Sequence, residues 1–381
     1  MRQVKYGGIS EFCLGMQRVG DNPLSVFRDF PGEPCEVVAQ WVFGGCQFQA
    51  AAQSAMGGVR WPMMWLEGDS CDGQHLAGLQ AVLLKGVTPR RLKLDGAVVG
   101  AAWSDEDADY CWLSGVTPAD LAATRGDQTR QVYERIETVL GQVGMGFGEV
   151  VRTWLYLDQL LDWYDEFNVT RNRFFEERGV FERRVPASTG IGACNPRGAA
   201  IVAGALAIRP RHGGVKITVV PSPLQCSALE YRSAFSRAVE LEFPDRRQLL
   251  ISGTASIAPG GESVHRGDAA AQIALTMKVV DAILESRGMA WQDTTRAIGY
   301  FQDMKDAPLL AEYCQAHGIQ DFPVINTHAT VCRDDLLFEI ELDAAVTCGF
   351  AFTTPISERN ASWSGVVDAP VADPSKIDVA E

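Results

Sequence analysis

The segment 249–272, LLISGTASIAPGGESVHRGDAAAQ, reads as a strand, a turn and the start of a helix, and 111–131, CWLSGVTPADLAATRGDQTRQ, follows the same plan. Each strand ends in Ser-Gly (Ser114-Gly115 and Ser252-Gly253), each run passes through Arg-Gly-Asp (125–127 and 266–268), and each has a Gln four residues past the Asp (Gln131 and Gln272). Amphipathic helices follow. Val132, Ile136, Val139 and Val143 in the first, and Ile273, Met277, Val280 and Leu284 in the second, recur at the spacing of one buried helical face. Gly144 and Gly288 punctuate the next turns. The strands beyond carry Arg152-Thr153-Trp154-Leu155-Tyr156 and Arg296-Ala297-Ile298-Gly299-Tyr300. A second helix is predicted near 158–178 and near 305–317, and Pro186 and Pro323 lead into two closing strands.

Shared landmarks in one order are the signature of internal duplication. The predicted fold class is α+β: tandem units, each a mixed β-sheet with two helices on one face. The first unit spans 85–215 and the second 225–348. Residues 1–84 hold possible strands near 36–43 and 59–66 but no alignable third copy, and read as a degenerate N-terminal region. The tail, 350–381, mixes Pro, Ser and Asp without periodicity.

Composition narrows the function classes. A chain of 381 residues with 46% hydrophobic and 22% charged residues can close more than one core. Its 34 basic and 48 acidic residues leave a net charge of −14, which repels phosphate backbones and anionic membranes. No run approaches the roughly 18 apolar residues of a membrane span, and the N-terminus, MRQVKYGGISEF, has no signal-like apolar core. The ten cysteines show no CxxC pair and the five histidines no ligand spacing, so a cytoplasmic location and no metal or cofactor are expected.

The last strand of the second unit alternates: Leu336, Phe338, Ile340, Leu342, Ala344 and Val346 share one face, which turns Glu339 and Glu341 to the other. At the matching places the first unit has Val202 and Gly204, beside Leu206. One copy presents acids where its twin presents apolar atoms. Two readings stand: a solvated sheet face, or a sheltered carboxyl of raised pKa suited to proton donation near neutrality.

These motifs resemble the RidA/YjgF superfamily, whose units have a chorismate-mutase-like fold, through Leu250-Ile251-Ser252-Gly253, Gly267-Asp268 with Gln272, and the closing LLFEIE of 336–341. The deaminases of that superfamily grip substrate carboxylate with an Arg at a place that falls on Val324 or Ala187 here, so an enamine or imine deaminase is the weaker alternative. A narrower resemblance is to the chorismatases. PASTGIGA (186–193) is similar to their PAATGIGA-type segment, VHRGD (264–268) to their VHHGD-type turn, and CRDDLLFEIE (332–341) to their closing hairpin. Where members carry Tyr-Gly-Pro, this chain has EYRSAFSR at 230–237.

The resemblance implies a hydrolase or lyase that removes the enolpyruvyl group of chorismate as pyruvate, with Glu339 as catalytic acid. Gly253 and Cys332 match the branch that forms 3-hydroxybenzoate; the other branch has Ala at these places and stops at a dihydroxy-cyclohexadiene acid. Cys332 would shape the ring pocket or assist proton transfer. Arg237, Tyr231, Gly253, Arg333, Thr189 and Gly190 are the candidate substrate contacts, with Arg152 and Arg296 as further cations by placement. The expected ligand is a small carboxylate, without nucleic acid or membrane partners, and a non-catalytic binding protein is the remaining alternative. Units of this fold form three-fold rings, so a homotrimer or an internal pseudo-trimer is expected.

Overall fold

In a computed structural model of the chain, residues 1–6, 8–17, 35–68, 76–231 and 233–347 are described; the tail assigned to 350–381 lies outside them. The alternation at the C-terminal end sets the layers. Strand β17 (Phe338–Thr347) sends Phe338, Ile340 and Leu342 into a core under helices α4 (Ala269–Ser286) and α5 (Ala307–Ala316). Glu339, Glu341 and Asp343 face the opposite way and are buried as well, so that face is interior and not a solvated surface. Leu336 precedes the strand and joins the central cluster instead of the helix-covered one.

Strand β17 lies fourth in a six-stranded sheet, β12 (Lys216–Val220), β13 (Ala238–Glu242), β14 (Arg246–Ala255), β17, β15 (Thr294–Phe301), β16 (Val324–His328). The preceding sheet repeats this order: β6 (Arg90–Leu94), β7 (Ala97–Ser104), β8 (Ala108–Val116), β11 (Ile201–Pro210), β9 (Val150–Leu157), β10 (Ala187–Gly192). Its outer face is covered by α2 (Arg125–Gly141) and α3 (Tyr164–Glu177). In both sheets the last two strands run parallel, as a crossover helix requires.

The N-terminal residues supply what no alignment gave. Strands β1 (Arg2–Tyr6), β2 (Ile9–Gln17), β5 (Leu76–Lys85), β3 (Glu36–Gly44) and β4 (Met63–Leu66) form a sheet in the same order, short of one outer strand, with a single short helix α1 (Gln49–Ala55) between β3 and the parallel β4. The three sheets close on one another within one chain, an internal pseudo-trimer. Its shared core draws on all three: the rings of Trp41, Trp112 and Trp154 lie 5.2–6.0 Å apart, and the Tyr156 and Tyr300 hydroxyls bond at 2.8 Å. Aromatic pairs of this kind contribute about 0.5–1.5 kcal/mol beyond their burial.

One sequence equivalence is corrected. In α2 the cap is Thr124, which accepts from the Asp127 N–H; in α4 the cap is Asp268, which accepts from the Ala271 N–H. The capping positions therefore match three residues away from the Arg-Gly-Asp alignment. The counterpart of Gln272 is Gln128, not Gln131. Gln128 bonds the Leu121 and Ala123 carbonyls and the Ala200 N–H, just as Gln272 bonds the His265 and Asp335 carbonyls and the Leu337 N–H. Gln131 instead accepts from the Ala119 and Asp120 N–H groups on the surface. The tripeptide match is accidental; the helix cap decides the register.

Candidate active site

Where β10 of the middle unit meets β14 of the C-terminal unit, the Ser252 hydroxyl bonds the Ser236 carbonyl and accepts from the Ser188 N–H at 2.9 Å. This staple joins the units, and beside it opens a cavity of about 300 Å³ lined from both. Glu339, Cys332, Arg333, Arg237 and Gly253 come from the C-terminal unit; Gly190, Tyr164 and Arg171 come from the middle one. The cavity that this acid borders is thus built from two copies.

Glu339 is 5% exposed. Burial pushes its carboxyl up to about 8, the neighbouring Glu341 pushes in the same direction, and Arg152 and Arg237 pull only partly against them. At neutral pH it carries its proton. Gly253 sits at an irregularity in the β14–β17 register, and any Cβ there would run into the Glu339 carboxylate oxygen. The glycine is required by close approach, not by backbone conformation. Burial also pushes the Cys332 thiol up, to about 12, with the Glu339 charge adding to it. Cys332 is therefore a neutral thiol in contact with the Tyr164 hydroxyl, not a thiolate nucleophile.

Cations line the inner wall. Arg237 donates through Nε and Nη2 to the Cys226 carbonyl, both at 3.0 Å, and Arg333 donates to the Gly261 carbonyl at 2.8 Å. Arg171 is buried, bonds Asn168 at 2.5 Å, stacks 5.0 Å from the Phe167 ring, and its Nε has no partner among the described residues. The outer mouth is acidic, with Asp165, Glu166, Glu262, Asp334 and Asp335 against Arg266 and Arg333. The buried arginines of the inner end are thus better placed than the acidic rim to complement an anion.

Of the substrate contacts expected from sequence, Arg237, Gly253, Arg333 and Gly190 border this cavity together with Glu339 and Cys332. Thr189 does not: its hydroxyl accepts from Arg152 and from the Gly253 N–H and donates to Glu341. Arg152 and Arg296 are also turned away, bound to Glu341 in the core, which corrects their placement as ligand cations. The Tyr231 side chain lies outside the described residues. Tyr164 and Arg171 were missed. The available signal was an arginine inside an apolar helical stripe, Phe167, Arg171, Phe174 and Phe175, where a buried cation needs a counter-charge.

Comparison with known proteins bears on the fold and on the family likeness. Residues 226–346 match the family model Endoribonuclease L-PSP, and residues 93–207 match Chorismatase FkbO/Hyg5-like, N-terminal. The chain is thus similar, unit by unit, to an FkbO/Hyg5-like chorismatase N-terminal domain and to an Endoribonuclease L-PSP domain. It is 28% identical over 265 residues, 64% of this chain and 73% of the relative, to a chorismatase of Streptomyces hygroscopicus. A 3-hydroxybenzoate synthase of the same organism is 28% identical over 264 residues, 62% and 74% of the two chains. A solved chorismatase crystal structure shares the fold at TM-score 0.64 and 20% identity, covering 88% of this chain and 98% of that one. Among the described residues no helix is long and apolar enough to cross a membrane.

Proposed function

We propose that the chain is a chorismatase-like enzyme that removes the enolpyruvyl group of chorismate, or of a related small carboxylic acid, as pyruvate and leaves 3-hydroxybenzoate. One observation carries this reading: a buried carboxyl, Glu339, whose burial favours its protonated form, on the wall of a cavity that Arg171, Arg237 and Arg333 also line. Protonating an enol ether at its methylene carbon is slow in water, and a positioned neutral acid is what the step needs. Glu339 gives its proton to that carbon, and the oxocarbenium so formed makes pyruvate a leaving group. The neighbouring ring hydroxyl displaces it, breaking that ring carbon–oxygen bond and closing an epoxide; the epoxide's other carbon–oxygen bond then opens, a ring C–H proton is lost as the ring aromatises, and a proton goes onto the phenolate oxygen. The hydroxyl proton returns to the carboxylate. Pyruvate and 3-hydroxybenzoate together have the composition of chorismate, so no water is consumed. Cys332, neutral beside Tyr164, shapes the ring end of the pocket, and the free thiols of the described cysteines suit a reducing cytoplasm.

Arg171, Arg237 and Arg333 are the groups for two carboxylates, since guanidinium pairs with carboxylate in a bidentate fork. Arg171→Ala is expected to raise KM about 10- to 100-fold with a smaller change in kcat, the loss of a charged hydrogen bond. Steady-state kinetics on chorismate checks this, and an unchanged KM would take Arg171 out of the binding set. The function itself is tested by incubating pure protein with chorismate. Equimolar pyruvate and 3-hydroxybenzoate are expected, and folded protein that releases neither overturns the reading.

A further inference from the structure

Strand β17 places three acids on its inner face, and only Glu339 borders the candidate active-site cavity. Glu341, two residues on, is fully buried and receives donors from several strands: Arg152 at 2.7 Å, Arg296 at 2.9 Å, the Trp154 indole at 2.9 Å and the Thr189 hydroxyl. Arg296 in turn donates to Asp343 at 2.5 Å and to Gln80 at 2.6 Å, and Gln80, from the N-terminal sheet, donates to the Ala297 carbonyl at 3.0 Å. The strand registers explain the meeting. Glu341 stands opposite Ile298, Gly204 opposite Trp154 and Gln80 opposite Trp41, so these are one position in three copies. One copy keeps a carboxylate there, one has neither side chain nor charge, and one has the neutral amide.

The ladder holds two guanidiniums and two carboxylates, all desolvated. Such clusters are weak contributors to stability compared with apolar packing. This one stops beside Glu339. The Thr189 hydroxyl also accepts from the Gly253 N–H, so the ladder is tied to the backbone against which the Glu339 carboxyl rests. Burial opposes ionisation of Glu341, but Arg296 and Arg152 overcome it and hold this carboxyl below its ordinary range.

Resting on the reading of Glu339 as the acid, we propose that Glu341 is its positioning residue: an anion locked by Arg152, Arg296, Trp154 and Thr189 that keeps the neighbouring carboxyl protonated and turned to the cavity. Asp165 of the middle unit lines the same cavity as Glu339. Arg152 and Arg237 favour the ionised form of Glu339; Glu341 opposes it; Cys332 and Tyr164 are neutral neighbours; Arg171 and Arg333 lie along the cavity wall. Asp343, Tyr156 and Tyr300 complete the surroundings of Glu341. Without the Glu341 charge, Arg152 and Arg296 face Asp343 alone, and Glu339 gives up its proton at lower pH.

The test is the pH dependence of kcat/KM, with activity falling as pH rises through the Glu339 titration. Glu341→Gln is expected to move that limb down by about one unit or more, so that its loss relative to the parent is about fivefold greater at pH 8 than at pH 6, or more. Arg152→Gln, which removes a cation, is expected to move the limb up. The opposite signs separate this effect from general damage, and either variant suffices if the other does not fold. The Glu339 carboxyl carbon, followed by NMR in glutamate-labelled protein and assigned with Glu339→Gln, reports the same shifts without turnover. If a folded variant titrates Glu339 as the parent does, the proposal fails. If the parent releases no pyruvate, the proposed function fails, and the NMR titration still decides the role of Glu341.

Discussion

Glu339→Gln is expected to lower kcat for pyruvate release by about 10³-fold or more, near the upper range of a single general acid, while KM changes little. The amide keeps the volume of the side chain and its place beside Gly253, but cannot hand a proton to carbon. A coupled assay for pyruvate measures it. A tenfold loss or less would assign proton delivery to another group. The same substitution has a signature in stability. The folded-state pKa of Glu339 is raised to about 8 from an ordinary value of 4.5, so over that window the folded protein binds a proton that the unfolded chain has lost. Stability therefore falls as pH rises through the window, and the penalty is complete above pH 8. Thermal melts should show Glu339→Gln more stable than the parent at pH 9, with the difference vanishing near pH 4.

Gly253→Ala is expected to lower kcat/KM about 100-fold, because a methyl group placed there collides with the Glu339 carboxylate and with the Thr189 methyl. The carboxyl must swing aside, and a displacement of about an ångström is enough to misalign a proton transfer. Chain folding is unaffected at this edge of a register irregularity, so circular dichroism should match the parent. Pairing the change with Cys332→Ala enlarges the ring end of the pocket. The residual product is then expected to shift toward the dihydroxy-cyclohexadiene acid, formed when water captures the oxocarbenium. Chromatography of the aromatic and diene acids distinguishes the two outcomes. Full activity in Gly253→Ala would contradict the close approach on which the argument rests.

What could be read from the chain, and what could not, divides along a physical line. Period-two alternation at 336–346 identifies the face that carries Glu339 and Glu341, because strand geometry is local. It says nothing of what lies opposite. That Glu341 meets Arg152, 189 residues away, and that Gln80 closes on Arg296, 216 residues away, follow from three sheets packing about one core. The same limit sent Arg152 and Arg296 to the ligand side of the ledger and left Tyr164 and Arg171, from the other copy, unnoticed. The third unit was hidden because its strands keep the order of the others while, among its described residues, the helix between β3 and β4 is short. The Gln131 equivalence failed for a subtler reason: a repeated tripeptide outscored the cap, although Thr124 and Asp268 are the residues that begin the helices.

Catalysis turns on a proton moving from Glu339 to carbon, and the solvent isotope effect on kcat/KM measures that transfer. Comparing pyruvate release in H2O and D2O on the pH-independent plateau, the rate is expected to fall by about threefold or more, with deuterium appearing in the pyruvate methyl group. Equal rates in the two solvents would contradict proton delivery by this carboxyl as the step that limits the reaction.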